Sequence, residues 1–132
     1  MTVITFGTFD ILHVGHINIL RRAREMGDRL VVGVSSDALN FAKKGRYPVY
    51  SQSERCEIIG VIRYVDDVFV EESLELKRDY ILRQEAGILV MGDDWAGRFD
   101  AFADICNVVY LPRTPSISTT SIIEIVKSTP AP

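Results

Sequence analysis

The 132-residue sequence predicts an α/β fold of three layers, in which helices cover both faces of a five-stranded parallel sheet. Apolar runs alternate along the whole chain with segments of helical periodicity, and this alternation is typical of parallel strands joined by right-handed crossovers. The run Leu30–Val34 is almost continuously apolar, as expected of a strand covered on both faces. The length suits one domain with a single core, predicted over residues 1–127, with a frayed tail at 128–132.

Five short runs rich in β-branched and other apolar residues are predicted as strands. The first ends at Gly7 and the fourth ends at Gly92. In chain order the runs are Val3–Phe6, Leu30–Val34, Val65–Val70, Ile88–Met91 and Val108–Leu111.

The segments between the strands carry helix signals. Ser51 and Glu54 have the spacing of a capping box, and Gly27 and Gly87 stand where a helix would stop. The segment Asn40–Tyr50 is polar and contains Gly45 and Pro48, so a loop is expected there. The predicted helices are Ile17–Met26, Ser51–Ile62, Leu74–Glu85, a short amphipathic segment Phe99–Ile105, and Thr119–Lys127.

Composition narrows the function classes. The formal net charge of −3 argues against a general nucleic-acid binder, which usually presents a basic face. No apolar run approaches the roughly 20 residues that span a bilayer, and the first residues lack a signal-peptide pattern, so we expect a cytoplasmic protein without a membrane anchor. Cys56 and Cys106 lie in no metal-binding motif and are expected to be reduced thiols.

The first candidate site follows the first strand, in the stretch from Gly7 to His16. The only two histidines, His13 and His16, are three residues apart and share one helix face, with Gly15 between them. A phosphate could approach the free N–H groups of this helix end, where the dipole contributes about half a positive charge. A metal pair is the alternative, but no third ligand is evident. Asp10 beside this site is expected either to structure the loop or to help hold Mg²⁺.

The second candidate site follows the last strand. Arg113 precedes a cluster of hydroxyl groups, and Ser118 is suited to cap the final helix. Capping alone explains Ser118 but not the arginine together with the hydroxyl cluster. Two helix amino ends, each following a strand, are suited to hold opposite sides of a triphosphate.

These stretches resemble the cytidylyltransferase family over about Val3 to Val126. His13-Val14-Gly15-His16 matches the family's H-x-G-H motif, and Arg113 to Thr120 matches R-T-x-G-I-S-T-T in spacing, although Ser116 stands where the family usually has glycine. The remaining matches are Gly7-Thr8-Phe9-Asp10, Arg63-Tyr64-Val65-Asp66, and Met91-Gly92-Asp93-Asp94-Trp95, the last of which resembles the glycerol-phosphate branch in particular.

The resemblance implies a Rossmann-like domain, a homodimer, a need for Mg²⁺, and transfer of CMP from CTP to an alcohol phosphate, with glycerol 3-phosphate as the first candidate acceptor. Mg²⁺ would be bound mainly by the CTP phosphates, with no direct protein ligand assigned. By position, the catalytic residues would be His13, His16, Lys44 and Arg113. CTP would contact Gly7, Thr8, Phe9, Val14, Gly15, Arg63, Asp93, Asp94, Arg113, Thr114, Ile117, Ser118, Thr119 and Thr120. The acceptor would contact Asp10, Lys43, Arg46 and Lys77.

The sequence leaves several alternatives open. It does not say which of Lys43, Lys44 and Arg46 meets a phosphate, which of Asp93 and Asp94 reads the base, or whether Arg63 binds nucleotide or braces a dimer. A different phosphorylated acceptor and an adenylyltransferase of the same superfamily remain the nearest rivals. Two alternatives are not enzymes: a non-catalytic nucleotide-binding module and a pure interaction domain.

Overall fold

The structure is a computed structural model that describes residues 1–114 and 118–130. Its centre is a five-stranded sheet in which every neighbouring pair is parallel, in the order β3-β2-β1-β4-β5. The strands are β1 (Thr2–Gly7), β2 (Arg29–Ser35), β3 (Asp67–Glu71), β4 (Ala86–Gly92) and β5 (Asn107–Leu111). This is the three-layer, Rossmann-like α/β arrangement that the sequence predicts.

The helices are α1 (Val14–Glu25), α2 (Asp37–Lys44), α3 (Gln52–Gly60), α4 (Lys77–Arg83) and α5 (Thr119–Ser128). Short 3₁₀ turns lie at Leu74–Leu76, Asp93–Trp95 and Asp100–Asp104. None of the helices in the described ranges has both the length and the apolar content needed to cross a bilayer.

The sheet separates two apolar cores, because successive side chains of a strand point to opposite faces. On one face Val3 and Val32 pack with Leu20 of α1 and Ile59 of α3. On the other face the neighbouring residues of the strands pack with α4; this second cluster comprises Ile4, Phe6, Tyr80, Ile81, Ala86, Leu89 and Met91. The two buried faces explain why the strands read as nearly continuous apolar runs.

The prediction that the first helix begins at Ile17 is wrong, because α1 begins at Val14 and is capped by His13. The prediction of a loop across 40–50 is also wrong in its first half, since α2 continues to Lys44 and ends at Gly45 in the left-handed conformation (φ 72°). The single helix predicted over 74–85 is instead a 3₁₀ turn followed by α4, which ends at Arg83.

The sheet topology predicts where a ligand binds, at the carboxyl ends of β1 and β4. The strand order reverses between β1 and β4, and ligands of open α/β sheets bind outside the carboxyl ends of the strands at such a point. The chain after β1 leads to His13, and the chain after β4 begins with Asp93 and Asp94. The fold thus brings these two predicted stretches to the same crevice.

Candidate active site

The two histidines form a reciprocal cap at the amino end of α1. Nδ1 of His13 accepts the backbone N–H of Gly15 at 3.0 Å, and Nδ1 of His16 accepts the backbone N–H of His13 at 3.2 Å. The imidazole rings stack with centroids 3.8 Å apart, and Phe9 packs edge-on against His16. The cap fixes both rings relative to the helix end.

This cap also sets the protonation of the two rings. Because each Nδ1 accepts a hydrogen bond, each neutral imidazole carries its proton on Nε2. Burial, the neighbouring His13 ring and, in the opposite sense, Asp10 bring the pKa of His16 to about 4. Burial and the Arg113 charge also lower the pKa of His13. Near neutral pH the pair therefore offers two uncharged N–H donors.

Acid is expected to destabilise the fold through His16. Its pKa of about 4 lies below the ordinary 6.5, so between these values the unfolded chain binds a proton that the folded chain does not. The free energy of unfolding should fall as the pH drops through this window, by up to about 1.4 kcal/mol per pH unit from this group. Urea denaturation across the window measures the fall. His16→Asn keeps a cap acceptor without titrating, so an equally steep fall in that variant would contradict the assignment.

The amino end of α5 lies beside the same loop. The Thr119 hydroxyl donates to the Asp10 carbonyl at 2.6 Å, although the two residues are 109 positions apart in sequence. The Asn18 amide of α1 donates to the Thr114 hydroxyl at 3.0 Å. Both predicted anion-binding helix ends therefore border one crevice.

The cap of α5 uses its hydroxyl groups within the helix end. Ser118 Oγ accepts the backbone N–H of Ser121, and Ser121 Oγ accepts the backbone N–H of Ser118. Thr120 is exposed in the first turn. The role of Ser118 seen here is that of the predicted N-cap, and its contact with CTP stays a prediction. The predictions for Ser116 and Ile117 lie outside the described residues.

Arg113 follows β5 and forms an ion pair with Asp94, which follows the neighbouring strand β4. Its guanidinium lies 3.4 Å from the carboxylate of Asp94, and both side chains are more than half exposed. Since the Arg113 charge also acts on His13, the arginine is near the histidine pair as well. Asp94 is therefore the carboxylate after β4 that contacts a residue of the predicted site.

A basic segment lies at the carboxyl end of α2. Lys43 and Lys44 form the last turn of α2, and Arg46 follows Gly45. Burial, Lys43 and Arg46 lower the pKa of Lys44, whereas Asp10 acts in the opposite direction. The charge of Asp10, in the loop after β1, therefore acts on Lys44 at the end of α2.

Arg55 is a structural residue of the site that sequence reasoning missed. It is fully buried on α3 and donates to the carbonyls of Thr8 and Ser35 at 2.9 and 2.7 Å. It also donates to the Tyr50 carbonyl at 3.0 Å and pairs with the Asp37 carboxylate at 2.8 Å. One guanidinium thus joins four chain segments that border the crevice.

A second polar network supports Thr8. Its hydroxyl donates to the Asn40 amide oxygen at 2.9 Å and accepts from the Ser35 hydroxyl. The Asn40 amide nitrogen donates back to Ser35 and to the Ser36 carbonyl. Asn40 is 1% exposed, so this network lies inside the protein and fixes the end of β1 against α2.

Lys77 forms a buried ion pair. Its Nζ lies 2.6 Å from Glu71 Oε2 and 3.8 Å from the centre of the Phe6 ring. The two charged side chains are 4% and 3% exposed. Glu71 is the last residue of β3, which places the pair at the carboxyl edge of the sheet. The acceptor-binding role of Lys77 stays a prediction, and Glu71 is a partner that the sequence alone did not indicate.

Breaking this pair is expected to cost stability. In Glu71→Gln the amide oxygen still accepts a hydrogen bond but no longer balances the buried ammonium, so we expect a loss of about 2 kcal/mol. Urea denaturation measures the loss. Combining Glu71→Gln with Lys77→Met removes both charges and should recover part of it; an unchanged midpoint in Glu71→Gln would contradict this assignment.

The structure does not bring Arg63 to the crevice within one chain. Arg63 is exposed in the turn between α3 and β3, at the amino edge of the sheet. Its neighbour Asp66 is used there, accepting the backbone N–H of Leu30 at 2.7 Å and pairing with Arg24. Of the two predicted roles of Arg63, this position favours a brace between chains over a nucleotide contact in its own chain.

The donors at the crevice fit an anion better than a directly bound metal ion. Within the part of the chain that the structure describes, no group of three or more His, Cys, Asp or Glu side chains is placed to hold a metal. The Asp10 carboxylate accepts two backbone N–H groups, and the Asp94 carboxylate faces Arg113. With these carboxylates engaged, the groups left for a ligand are cationic side chains, neutral N–H donors and two helix amino ends. Such groups are typical of a phosphate site.

Two relatives named glycerol-3-phosphate cytidylyltransferase align with this chain over most of its length. Glycerol-3-phosphate cytidylyltransferase of Bacillus subtilis (strain 168) is 50% identical over 122 residues, which are 92% of this chain and 94% of that protein. The protein of the same name from Staphylococcus aureus (strain NCTC 8325 / PS 47) is 48% identical, covering 91% of this chain and 90% of that one.

A solved structure supports the fold. The lipopolysaccharide core biosynthesis protein from Thermoplasma volcanium GSS1 superposes with a TM-score of 0.77 at 24% identity, over 86% of this chain and 98% of that one. The family model described as cytidylyltransferase-like matches residues 4–125. A match over nearly the whole chain establishes that this protein belongs to the cytidylyltransferase-like family.

Proposed function

We propose that this protein transfers CMP from CTP to glycerol 3-phosphate, giving CDP-glycerol and pyrophosphate. The observation that carries the proposal is the hydrogen bond from Thr119 to Asp10, because it joins the amino end of α5 to the loop that leads into α1. The relatives named glycerol-3-phosphate cytidylyltransferase, about half identical to this chain over most of its length, support the choice of substrates.

The proposed reaction needs positioning more than proton transfer. A phosphate oxygen of the acceptor forms a bond to the α-phosphorus of CTP, the bond from that phosphorus to the bridging oxygen breaks, and pyrophosphate leaves. The acceptor phosphate has a second pKa near 6, so its oxygen is already largely ionised at neutral pH. The reaction therefore requires no strong general base, and the neutral histidines have the character of donors.

The main barrier is repulsion between two phosphate-bearing anions. The Nε2–H groups of His13 and His16, the Arg113 guanidinium and the Lys44 ammonium would face the charge that builds up between them. The amino ends of α1 and α5 add fixed dipoles of the same sign. The caps described above hold the two imidazoles and the helix ends, so these donors need little rearrangement when the substrates bind.

Three further features belong to this proposal. Mg²⁺ would be held through the phosphates of CTP and supply charge neutralisation there. The protein would act in the cytoplasm. It would be a homodimer, to which the exposed Arg63 at the amino edge contributes contacts.

The test is product formation with a panel of substrates. Purified protein is incubated with Mg²⁺, one of the four nucleoside triphosphates, and glycerol 3-phosphate or another alcohol phosphate, and both pyrophosphate and the nucleotide product are measured. We expect CDP-glycerol from CTP and glycerol 3-phosphate, and loss of turnover when EDTA removes the metal.

Other outcomes point to the rival functions. Preference for ATP would support an adenylyltransferase, and CTP binding by calorimetry without product would support a non-catalytic module. Absence of nucleotide binding would leave an interaction domain. Size-exclusion chromatography with light scattering tests the dimer separately from the chemistry.

A further inference from the structure

We propose that Asp10 is a positioning residue for the acceptor side of the site. Its carboxylate fixes the segment 45–50, which contains Arg46 and directly follows Lys44 at the end of α2, without touching substrate itself. This inference rests on the proposed function, because the acceptor phosphate is the anion that those cations would meet. It replaces the direct acceptor contact that the sequence predicted for Asp10.

The carboxylate is already engaged by backbone donors. Asp10 Oδ2 accepts the N–H of Val49 at 2.7 Å, and Oδ1 accepts the N–H of Tyr50 at 2.9 Å. The residue is 8% exposed. Hydrogen bonds to an ionised acceptor are roughly twice as strong as neutral ones, so this pair of contacts anchors the segment firmly. A phosphate oxygen or metal ion at Asp10 would have to compete with them.

The backbone around Asp10 is held in an uncommon conformation. Phe9 and Ile11, the residues on either side, have φ angles of 53° and 48°. For residues other than glycine this left-handed region costs on the order of 1 kcal/mol each and persists only where surrounding contacts impose it. The contacts that hold this loop are the Thr119 hydroxyl on the Asp10 carbonyl and Arg55 on the Thr8 carbonyl.

Like charges that repel one another lie within the segment that Asp10 anchors and in the helix turn directly before it. Lys43, Lys44 and Arg46 lie within four positions. The charges acting on Lys44 are those of Lys43, Arg46 and Arg55, which disfavour its ammonium form, and that of Asp10, which favours it. Asp10 therefore both ties the segment in place and offsets the repulsion that would spread its cations apart.

The end of the segment has a separate anchor. Arg55 holds the Tyr50 carbonyl at 3.0 Å, and Ser51 and Glu54 cap α3 directly after it. Loss of the Asp10 carboxylate should therefore release the residues between Gly45 and Tyr50 while leaving α3 in place. This separation makes a positioning role distinguishable from a role in overall folding.

The variant Asp10→Asn tests the proposal. Its amide has a single oxygen, so it can accept only one of the two backbone N–H groups and turns its own N–H toward the other. With CTP and glycerol 3-phosphate, we expect the KM for glycerol 3-phosphate to rise about tenfold, the loss of roughly one such hydrogen bond, and the KM for CTP to change far less. Asp79→Asn, an exposed carboxylate in the first turn of α4, is the matched control and should leave both constants unchanged.

Repeating the Asp10→Asn substitution in a Lys44→Gln variant shows whether Asp10 acts through Lys44. In Lys44→Gln protein, adding Asp10→Asn should raise the KM for glycerol 3-phosphate much less than it does in the natural sequence. Trypsin supplies a readout independent of activity: Asp10→Asn should be cut faster at Lys43, Lys44 or Arg46, with the other sites still protected.

Three results would overturn the inference. The first is an equal rise in the KM values for glycerol 3-phosphate and CTP. The second is an effect of Asp10→Asn that persists in full in Lys44→Gln protein. The third is trypsin cleavage of Asp10→Asn throughout the chain, which would assign Asp10 to overall stability. Failure of the natural sequence to make CDP-glycerol would instead refute the proposed function, and selective cleavage of Asp10→Asn would still report on the anchoring.

Discussion

His16→Ala is expected to lower kcat/KM for CTP by about 10²–10³-fold, the scale of losing one preorganised donor to a developing negative charge. The variant removes the Nε2–H donor together with the Nδ1 acceptor that caps the His13 backbone N–H. It also removes the ring on which Phe9 packs. Steady-state kinetics of pyrophosphate release measure the loss.

Two amide substitutions separate the donor of His16 from its cap. In His16→Asn the side-chain oxygen lies near the position of Nδ1, so the cap is kept and the Nε2–H donor is lost. In His16→Gln the amide nitrogen can take the place of Nε2, so the donor is partly kept. We expect the glutamine variant to turn over faster than the asparagine variant and to be less stable. Near-normal turnover in the alanine variant would remove His16 from the proposed mechanism.

Arg55→Met is expected to lower the free energy of unfolding by about 4 kcal/mol, because it leaves the half-buried Asp37 carboxylate and three backbone carbonyls without their donor. Methionine keeps much of the length and the apolar stem, so the effect reports mainly on the guanidinium. A domain of this size is stable by only about 5–15 kcal/mol, so the variant should be close to unfolding. Urea denaturation measures the change.

A surface arginine provides the comparison. Arg21 lies 3.8 Å from Glu25 on the exposed face of α1, where such pairs contribute about 0.3–0.5 kcal/mol. Arg21→Met should therefore hardly move the urea midpoint. If Arg55→Met and Arg21→Met had similar midpoints, the four-segment junction at Arg55 would have no special role in stability.

Much of the fold could be predicted because its signals are local. The strands are short apolar runs, and Ser51 with Glu54 forms the expected capping box of α3. The start of α1 could not be predicted by the usual rules, since histidine is not among the favoured capping residues and here acts only through a reciprocal pair. The helix α2 had usable signals in Ser36 and Gly45, but it has only eight residues, and the glycine and proline that follow it favoured a loop.

The candidate site was predictable where motifs follow strands and unpredictable where distant segments meet. His13, His16 and Arg113 each lie directly after a strand, so the parallel topology brings them to one edge. Arg55 reads as an ordinary polar helix residue and Asn40 as part of a polar loop, because their burial depends on hydrogen-bond partners that come from other parts of the chain. The pairing of Glu71 with Lys77 depends in the same way on how α4 packs against the sheet.

The hydrogen bond between Thr119 and Asp10 has a consequence for the order in which the protein becomes competent. During synthesis Asp10 is added to the chain 109 residues before Thr119. Until α5 docks, the Asp10 carbonyl lacks this donor. The proposed nucleotide site then has the amino end of α1 but not that of α5. Under the proposed function, a nascent chain would thus complete most of its sheet while still unable to hold nucleotide, and nucleotide binding would begin only when the final helix has been made.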